Sequence, residues 1–145
     1  MKISTKGRYA LRMMIDLAVY SEDGPVALKD ISKRQEISAK YLEQIAALLT
    51  KARYVTSIRG AQGGYILGKT PEEYTVGDIL RTTEGSLAPV ACLEGRTVRC
   101  TRCHSCPTLG FWRGLYQTVE AYVDSVTLRQ LAEEQKQLGR GAHVI

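Results

Sequence analysis

Apolar residues near the start of the chain recur at helical spacing. Ala10, Met13, Met14, Leu17 and Ala18 share one helix face, Ser4 or Thr5 offers a hydroxyl to cap the first turn, and Gly24 and Pro25 in "SEDGP" end it. The stretch "VALKDISKRQEISAKYLEQIAALLTKARY" carries two more such patterns. One runs through Leu28 and Ile31 to about Gln35; a turn at Glu36 and Ile37 follows; Ser38 caps the next, which turns Leu42, Ile45, Ala46 and Leu49 inward. Two helices joined by a tight turn, the second exposing Lys40, Tyr41, Glu43, Gln44 and Lys51, form the pattern of a helix-turn-helix. The turn lacks the glycine often found there, and two plain amphipathic helices fit this periodicity equally well.

The next segment changes that balance. "YVTSIRGAQGGYILG" reads as a hairpin, with Val55 and Ile58 on one strand, Tyr65 and Leu67 on the other, and Gly60, Gly63 and Gly64 in the connection. A two-stranded hairpin is marginal alone and must lean on the helices. A helix-turn-helix followed by a Gly-rich hairpin with Arg59 at its bend is a winged helix, able to set one helix in the major groove and the hairpin on the phosphates. No Gly-Lys-Ser/Thr follows the glycines, which argues strongly against a phosphate-cradling nucleotide loop.

Beyond the wing, Thr75 and Asp78 form a capping box for a short helix with Val76, Ile79 and Leu80 inward. The stretch from about Gly85 to Thr101 shows no periodicity and reads as a loop long enough to have a function. Pro107 is placed to open a long helix with Phe111, Leu115, Val119, Tyr122, Val123 and Val126 on one side; Thr127 and Gln130 mark a restart before Leu128. An apolar face of that length packs either on its own domain or along the seam of a two-fold dimer. The expected fold is mainly α with a small β-hairpin wing. It divides into a winged helix-turn-helix over 1–84, a Cys-rich loop over 85–106, a long dimerisation helix with a return helix over 107–135, and a flexible tail over 136–145 in which His143 is inert.

Composition sharpens this outline. The 145 residues, 44% hydrophobic, suffice for one core. No apolar run reaches the roughly 18 residues of a membrane span, and "MKISTKGRYA" lacks the apolar centre of a signal peptide, so a cytoplasmic protein with no membrane partner is expected. Residues 1–60 hold 11 Lys and Arg against 6 Asp and Glu, which accounts for the whole net charge of +5. The basic half is therefore the one with the helix-turn-helix, as nucleic-acid binding requires.

All four cysteines lie in "CLEGRTVRCTRCHSC": Cys92, Cys100, Cys103 and Cys106, separated by seven, two and two residues. In a reducing compartment such clusters are metal or redox groups more often than disulfides. The run Cys100-x2-Cys103-x2-Cys106 matches the opening of ferredoxin-type four-iron sites, with Cys92 as the distant ligand. Four thiols also suit tetrahedral zinc, although zinc sites more usually present two separated pairs. A thiol-disulfide enzyme would need a strand-helix-strand context that is absent, so no enzyme and no catalytic residue is expected. Arg96, Arg99 and Arg102 favour thiolate over thiol, or form a solvated basic loop.

"MKISTKGRYAL", "ISAKYLEQI", "SIRGAQGGYILG", "TVGDIL" and "DSVTLRQL", across residues 1 to about 135, together resemble the Rrf2 family of winged-helix transcription regulators and, in it, the iron–sulfur cluster regulators. The resemblance implies a homodimer through the long helix, bound to palindromic double-stranded promoter DNA. It places Ser38, Lys40, Tyr41, Glu43 and Gln44 on the DNA-facing helix and Arg59, Gly60, Gly63 and Gly64 on the wing; Lys6 and Arg8 near the first helix suit phosphate contacts, and solvated surface charge accounts for them equally well. Glu43 matches a glutamate implicated in choosing between DNA sites; a carboxylate repels phosphate and accepts only from donors such as the cytosine amine. The resemblance makes Cys92, Cys100 and Cys106 the ligands of a two-iron (2Fe–2S) cluster, favoured over a four-iron (4Fe–4S) one, and implies cluster-donating proteins as partners. Relatives complete the cluster with a histidine three places past the last cysteine; Leu109 stands there, which leaves Cys103 or His104 as fourth ligand. The family also includes members without a cluster, among them repressors of cysteine metabolism, so a cluster-free or zinc-bound repressor is the alternative.

Overall fold

The computed structural model describes residues 1–141, and 142–145, with His143, lie outside the described residues. Ser4 caps α1, Thr5–Tyr20, with its Oγ accepting the Gly7 N–H at 3.2 Å. The helix gives way to a 3-10 turn at Ser21–Asp23. Then come α2, Leu28–Gln35, and α3, Ala39–Lys51, whose cap is Ser38. The glycine missing from the turn between them is replaced by Glu36 itself, which takes the left-handed conformation at φ 54°, ψ 43°. That costs a non-glycine residue on the order of 1 kcal/mol. It is offset by burial of Ile37 and by the Ser32 hydroxyl, which donates to the Ile37 carbonyl at 2.6 Å.

Strands β1, Val55–Ile58, and β2, Gly64–Leu67, pair antiparallel with Val55 opposite Leu67 and Ile58 opposite Gly64. Val55 is buried, but Ile58 is 39% exposed, because a side-chain period of two sends residues three apart to opposite faces. The hairpin does not stand alone. Val26 adds a third rung, giving its N–H to the Tyr65 carbonyl at 3.0 Å and accepting the Tyr65 N–H at 2.9 Å. A Cβ on Gly64 would collide with the Val26 backbone, so this close approach requires glycine. Tyr74 pins the hairpin's base from a buried position, donating to the Tyr54 carbonyl at 2.8 Å and accepting the Lys69 N–H at 2.9 Å.

The Thr75–Asp78 capping box forms and opens α4, Val76–Glu84. The loop that follows contains one 3-10 turn, Ala91–Leu93, with Leu87 and Leu93 buried beneath it. Helix α5 spans Leu109–Ser125, so Pro107 precedes the helix instead of opening it, and Thr108 holds the cap position. Thr127 and Gln130 exchange hydrogen bonds of 2.7 and 3.2 Å to start α6, Leu128–Gly141. Residues 136–141, expected as flexible tail, continue this helix.

The core centres on α1, where Ala10, Met13, Met14 and Leu17 are fully buried against Ile31, Leu42, Ile45, Leu49 and Ile79. Helix α6 returns to the same core through Leu128 and Ala132, one turn apart. Helix α5 has no buried residue. Among the described residues no helix is long and apolar enough to cross a membrane.

Candidate nucleic-acid interface and cysteine loop

Helix α3 presents Lys40, Glu43, Gln44, Ala47 and Lys51 as an exposed stripe opposite its buried face. The expected DNA-facing positions thus share one surface. Ser38 is exposed, and its Oγ is committed as a cap, accepting the Tyr41 N–H at 3.2 Å. Its O–H remains free to donate outward at a helix N-terminus, where the backbone dipoles favour a phosphate. Tyr41 is half-buried, and its ring stands perpendicular to that of Tyr9 with 5.7 Å between centroids. This pair docks α1 against the start of α3, and Arg8 and Arg12, next to Tyr9 on α1, are both exposed. Arg12 reaches across to the side-chain and backbone oxygens of Gln35 and lies 5.4 Å from the Tyr9 ring centre. Lys6 is exposed on the first turn of α1.

Arg59 stands apart on the wing, at the far end of β1 and about 13 Å from its start at ~3.3 Å per residue. It opens the connection over 59–63, where Gly60 at φ 123° makes the turn and Gly63 closes it with an N–H to the Gly60 carbonyl at 3.0 Å. Behind the recognition helix Asp16 is fully buried, accepting from Arg34 at 2.8 and 2.9 Å and from Gln35 at 3.1 Å. The carboxylate holds the Arg34 guanidinium above its ordinary pKa, and the guanidinium also lies 4.0 Å from the Tyr20 ring centre. The last turn of α2 is thus tied to α1. The sequence reading did not assign this triad. Its signal was a charged residue at the edge of the apolar face, beside Met13 on the helix surface.

The four cysteines are free thiols, each half-exposed, on the segment joining α4 to α5. Local turns shape it: Cys103 donates its N–H to the Cys100 carbonyl at 3.2 Å, and Arg99 donates to the Cys92 carbonyl at 3.3 Å. Cys106 lies just before α5, with Sγ 3.4 Å from the Thr108 hydroxyl. That contact, aided by the backbone N–H groups of Thr108 and Leu109 and the charge of Arg102, lowers its pKa below the ordinary thiol value. Leu109 is the first residue of α5 and offers no donor atom. Among the described residues no three His, Cys, Asp or Glu side chains converge in a metal-binding geometry. The donor set still fits a thiolate-bound metal chemically: four soft ligands, none tied up in a disulfide, and exposed His104 among them.

The two halves meet at α4 and α5. Arg81 forms a two-pronged pair with Asp124, both bonds 2.8 Å, and Gly77 leaves room for Asp124 and Val123 against α4. The opposite side of α5 carries Phe111 and Tyr122, 65% and 70% exposed.

Known proteins share this arrangement. The profile of the Rrf2 family, described as iron-dependent transcriptional regulators, matches residues 3–134. The HTH-type transcriptional regulator IscR of Yersinia pseudotuberculosis is 39% identical over 135 residues, covering 93% of this chain and 81% of the relative. The HTH-type transcriptional regulator CymR of Bacillus subtilis is 43% identical over 132 residues, covering 91% and 90%. Its solved structure, the global cysteine regulator, superposes with a TM-score of 0.76 over 92% of this chain and 98% of that one. The structure of T. potens IscR gives 0.75 at 39% identity, over 95% and 90%. With the recognition stripe, the wing and the core all in place, the chain belongs to the Rrf2 family and is a winged-helix, DNA-binding transcriptional regulator.

Proposed function

We propose that this regulator is a homodimer that senses iron–sulfur or redox status through a cluster held by Cys92, Cys100 and Cys106, with Cys103 or His104 as the fourth ligand. The observation that carries the reading is the placement of four free thiols within fifteen positions on the one segment that links the DNA-binding core to α5. A two-iron cluster is favoured over a four-iron one. When bound, a cluster supplies a centre whose oxidation or loss is chemically reversible and oxygen-sensitive. The protein's share is to hold the ligands on a loop that can rearrange around them. Arg96, Arg99 and Arg102, all exposed on that loop, offset the negative charge of an iron–thiolate centre. Its location is the cytoplasm, where its DNA and any cluster-donating proteins reside.

DNA binding at a palindromic site uses two copies of the surface described above. Ser38 and Lys40 approach phosphate at the start of α3, Gln44 and Glu43 face base edges, and Arg59 with Gly60, Gly63 and Gly64 sets the wing on the backbone. Lys6 and Arg8 add phosphate contacts from α1. Glu43 discriminates by rejection, since its charge is unfavourable near phosphate unless a donor base faces it. The second copy docks along α5, where Phe111 and Tyr122 stand exposed and, among the described residues, no residue of the helix is fully buried.

A second reading has a specific observation behind it: CymR of B. subtilis, the global cysteine regulator, matches as well as the IscR proteins do. Under it the loop thiols carry no cluster, or hold zinc, and the protein represses cysteine metabolism. Anaerobic purification followed by absorbance, iron, sulfide and zinc analysis separates the two. The cluster reading expects visible absorbance with iron and acid-labile sulfide in equal amounts. Colourless protein that takes up no iron on reconstitution, with or without zinc, sinks it.

A further inference from the structure

Glu84 belongs neither to the DNA-facing surface nor to the cysteine set, yet it sits between them. It is the last residue of α4, followed by Gly85 at φ 81°, where the chain turns into the cysteine loop. Its Oε1 accepts the Ser4 hydroxyl at 2.5 Å and the Ser4 backbone N–H at 3.0 Å, across 80 residues of sequence. The same hydroxyl accepts the Gly7 N–H at 3.2 Å, so one oxygen serves both the cap of α1 and the carboxylate.

Gly7 explains why the carboxylate can come so close. It is buried, and a Cβ there would take the space of Glu84 Oε1. Gly7 lies in the first turn of α1, where a glycine costs up to about 1 kcal/mol relative to alanine; admitting Glu84 is its structural reason. The charge also suits its place, because the N-terminus of a helix favours an anion. Just beside it Lys2, Lys6 and Arg8 are exposed, and among the described residues none of them pairs with an acid. A cavity of about 250 Å³ separates residues 1–3 from the start of the loop, lined by Ile3, Glu84, Leu87, Pro89 and Val90.

We infer that Glu84 is a positioning residue that couples the cysteine loop to DNA binding: through Ser4 it fixes the first turn of α1, with Lys6 and Arg8, to the residue from which the loop departs. A rearrangement that pulls on Gly85 moves or releases Ser4 and so the cations beside it. This rests on the reading of the loop as the sensing element. Glu84→Ala removes the acceptor, whereas Glu84→Gln keeps an oxygen in place for both Ser4 donors and serves as the conservative rescue.

Two measurements on the full chain test it. In metal-free protein, hydrogen exchange at the Ser4, Gly7 and Arg8 amides should rise at least about tenfold in Glu84→Ala, the equivalent of one of the two charge-assisted hydrogen bonds it removes, and far less in Glu84→Gln. Unchanged exchange in Glu84→Ala overturns the contact. The affinity for a palindromic duplex selected by the wild-type protein from random sequence is then compared before and after reconstitution with iron and sulfide. The wild-type ratio should collapse toward one in Glu84→Ala and persist in Glu84→Gln; an undiminished ratio in Glu84→Ala overturns the coupling. If the wild type itself binds alike in both states, the sensing reading falls and the coupling with it, whatever exchange shows of the contact.

Discussion

Asp16 is the residue on which the geometry of the helix-turn-helix most depends. Its carboxylate is fully buried, and its partners are the last two residues of α2, immediately before the turn that sets α3. Asp16→Ala leaves the Arg34 guanidinium without its partner. Because that side chain is 32% exposed and can rehydrate, the loss should be about 3 kcal/mol, at the low end for a broken buried pair. A fall in the urea midpoint at unchanged slope reports it; an unchanged midpoint contradicts the role. The sequence showed the problem without its solution, since a charged residue at the edge of an apolar face demands a partner but does not name one. Glu84 was less legible still, its only trace being the glycine in the first turn of α1. Arg59 was readable from its place between a β-alternating run and a glycine cluster. Arg59→Ala should weaken DNA binding and reduce the salt slope by about one, as a lost phosphate contact does. Equal slopes for variant and wild type would remove it from the interface.

At the scale of elements, what could be read from neighbours in sequence came out as expected. Ser4, Ser38 and Thr75 cap the helices they precede, because a cap is a contact between residues three apart. Pro107 did not open α5, since the turns of the cysteine loop run on to it and Thr108 takes the cap position. The length of α6 was missed for a related reason: "QKQLGRG" holds two glycines, and packing of Leu128 and Ala132 on α1 supplied a helix that local preference does not. Helix α5 makes one contact within the chain, and the proposed dimer adds a second beyond it. Phe111→Glu places charge on its uncovered face and should convert dimer to monomer in sedimentation, with helix content unchanged; a dimer that survives it places the seam elsewhere. Within the chain, hydrogen bonds from Arg81 hold the Asp124 carboxyl below its usual pKa. The folded value lies below the unfolded one of about 3.9, so its contribution is complete above that pH and is lost as pH falls through the folded value. Asp124 is 44% exposed, which keeps the effect small through solvent screening. Trp112, the single tryptophan, reports on α5. Its emission should change through that acid window in wild type and not in Asp124→Asn; the same change in both contradicts the assignment.

For the whole molecule, the order of parts is the argument. A DNA-reading core, a thiol-bearing loop and an uncovered helix follow one another, and the return helix α6 closes on the core, so the loop and α5 are held at both ends. That order could be read from the sequence, because each part has its own pattern: helical period, strand alternation, cysteine spacing. How the loop is tied to α1 could not, since Ser4 and Glu84 lie 80 residues apart and neither is unusual where it stands. The spacing of the cysteines likewise does not choose between Cys103 and His104 as fourth ligand of the proposed cluster. The account's central claim is that the state of this loop governs DNA occupancy. The most direct test is the affinity for one palindromic duplex, at fixed salt, of protein reconstituted with iron and sulfide against metal-free protein and against a Cys92→Ser, Cys100→Ser, Cys106→Ser variant. The account predicts a difference of about tenfold or more between loaded and metal-free wild type, equivalent to only about 1.4 kcal/mol of coupling, and no response in the variant. Equal affinities for loaded and metal-free wild type contradict it.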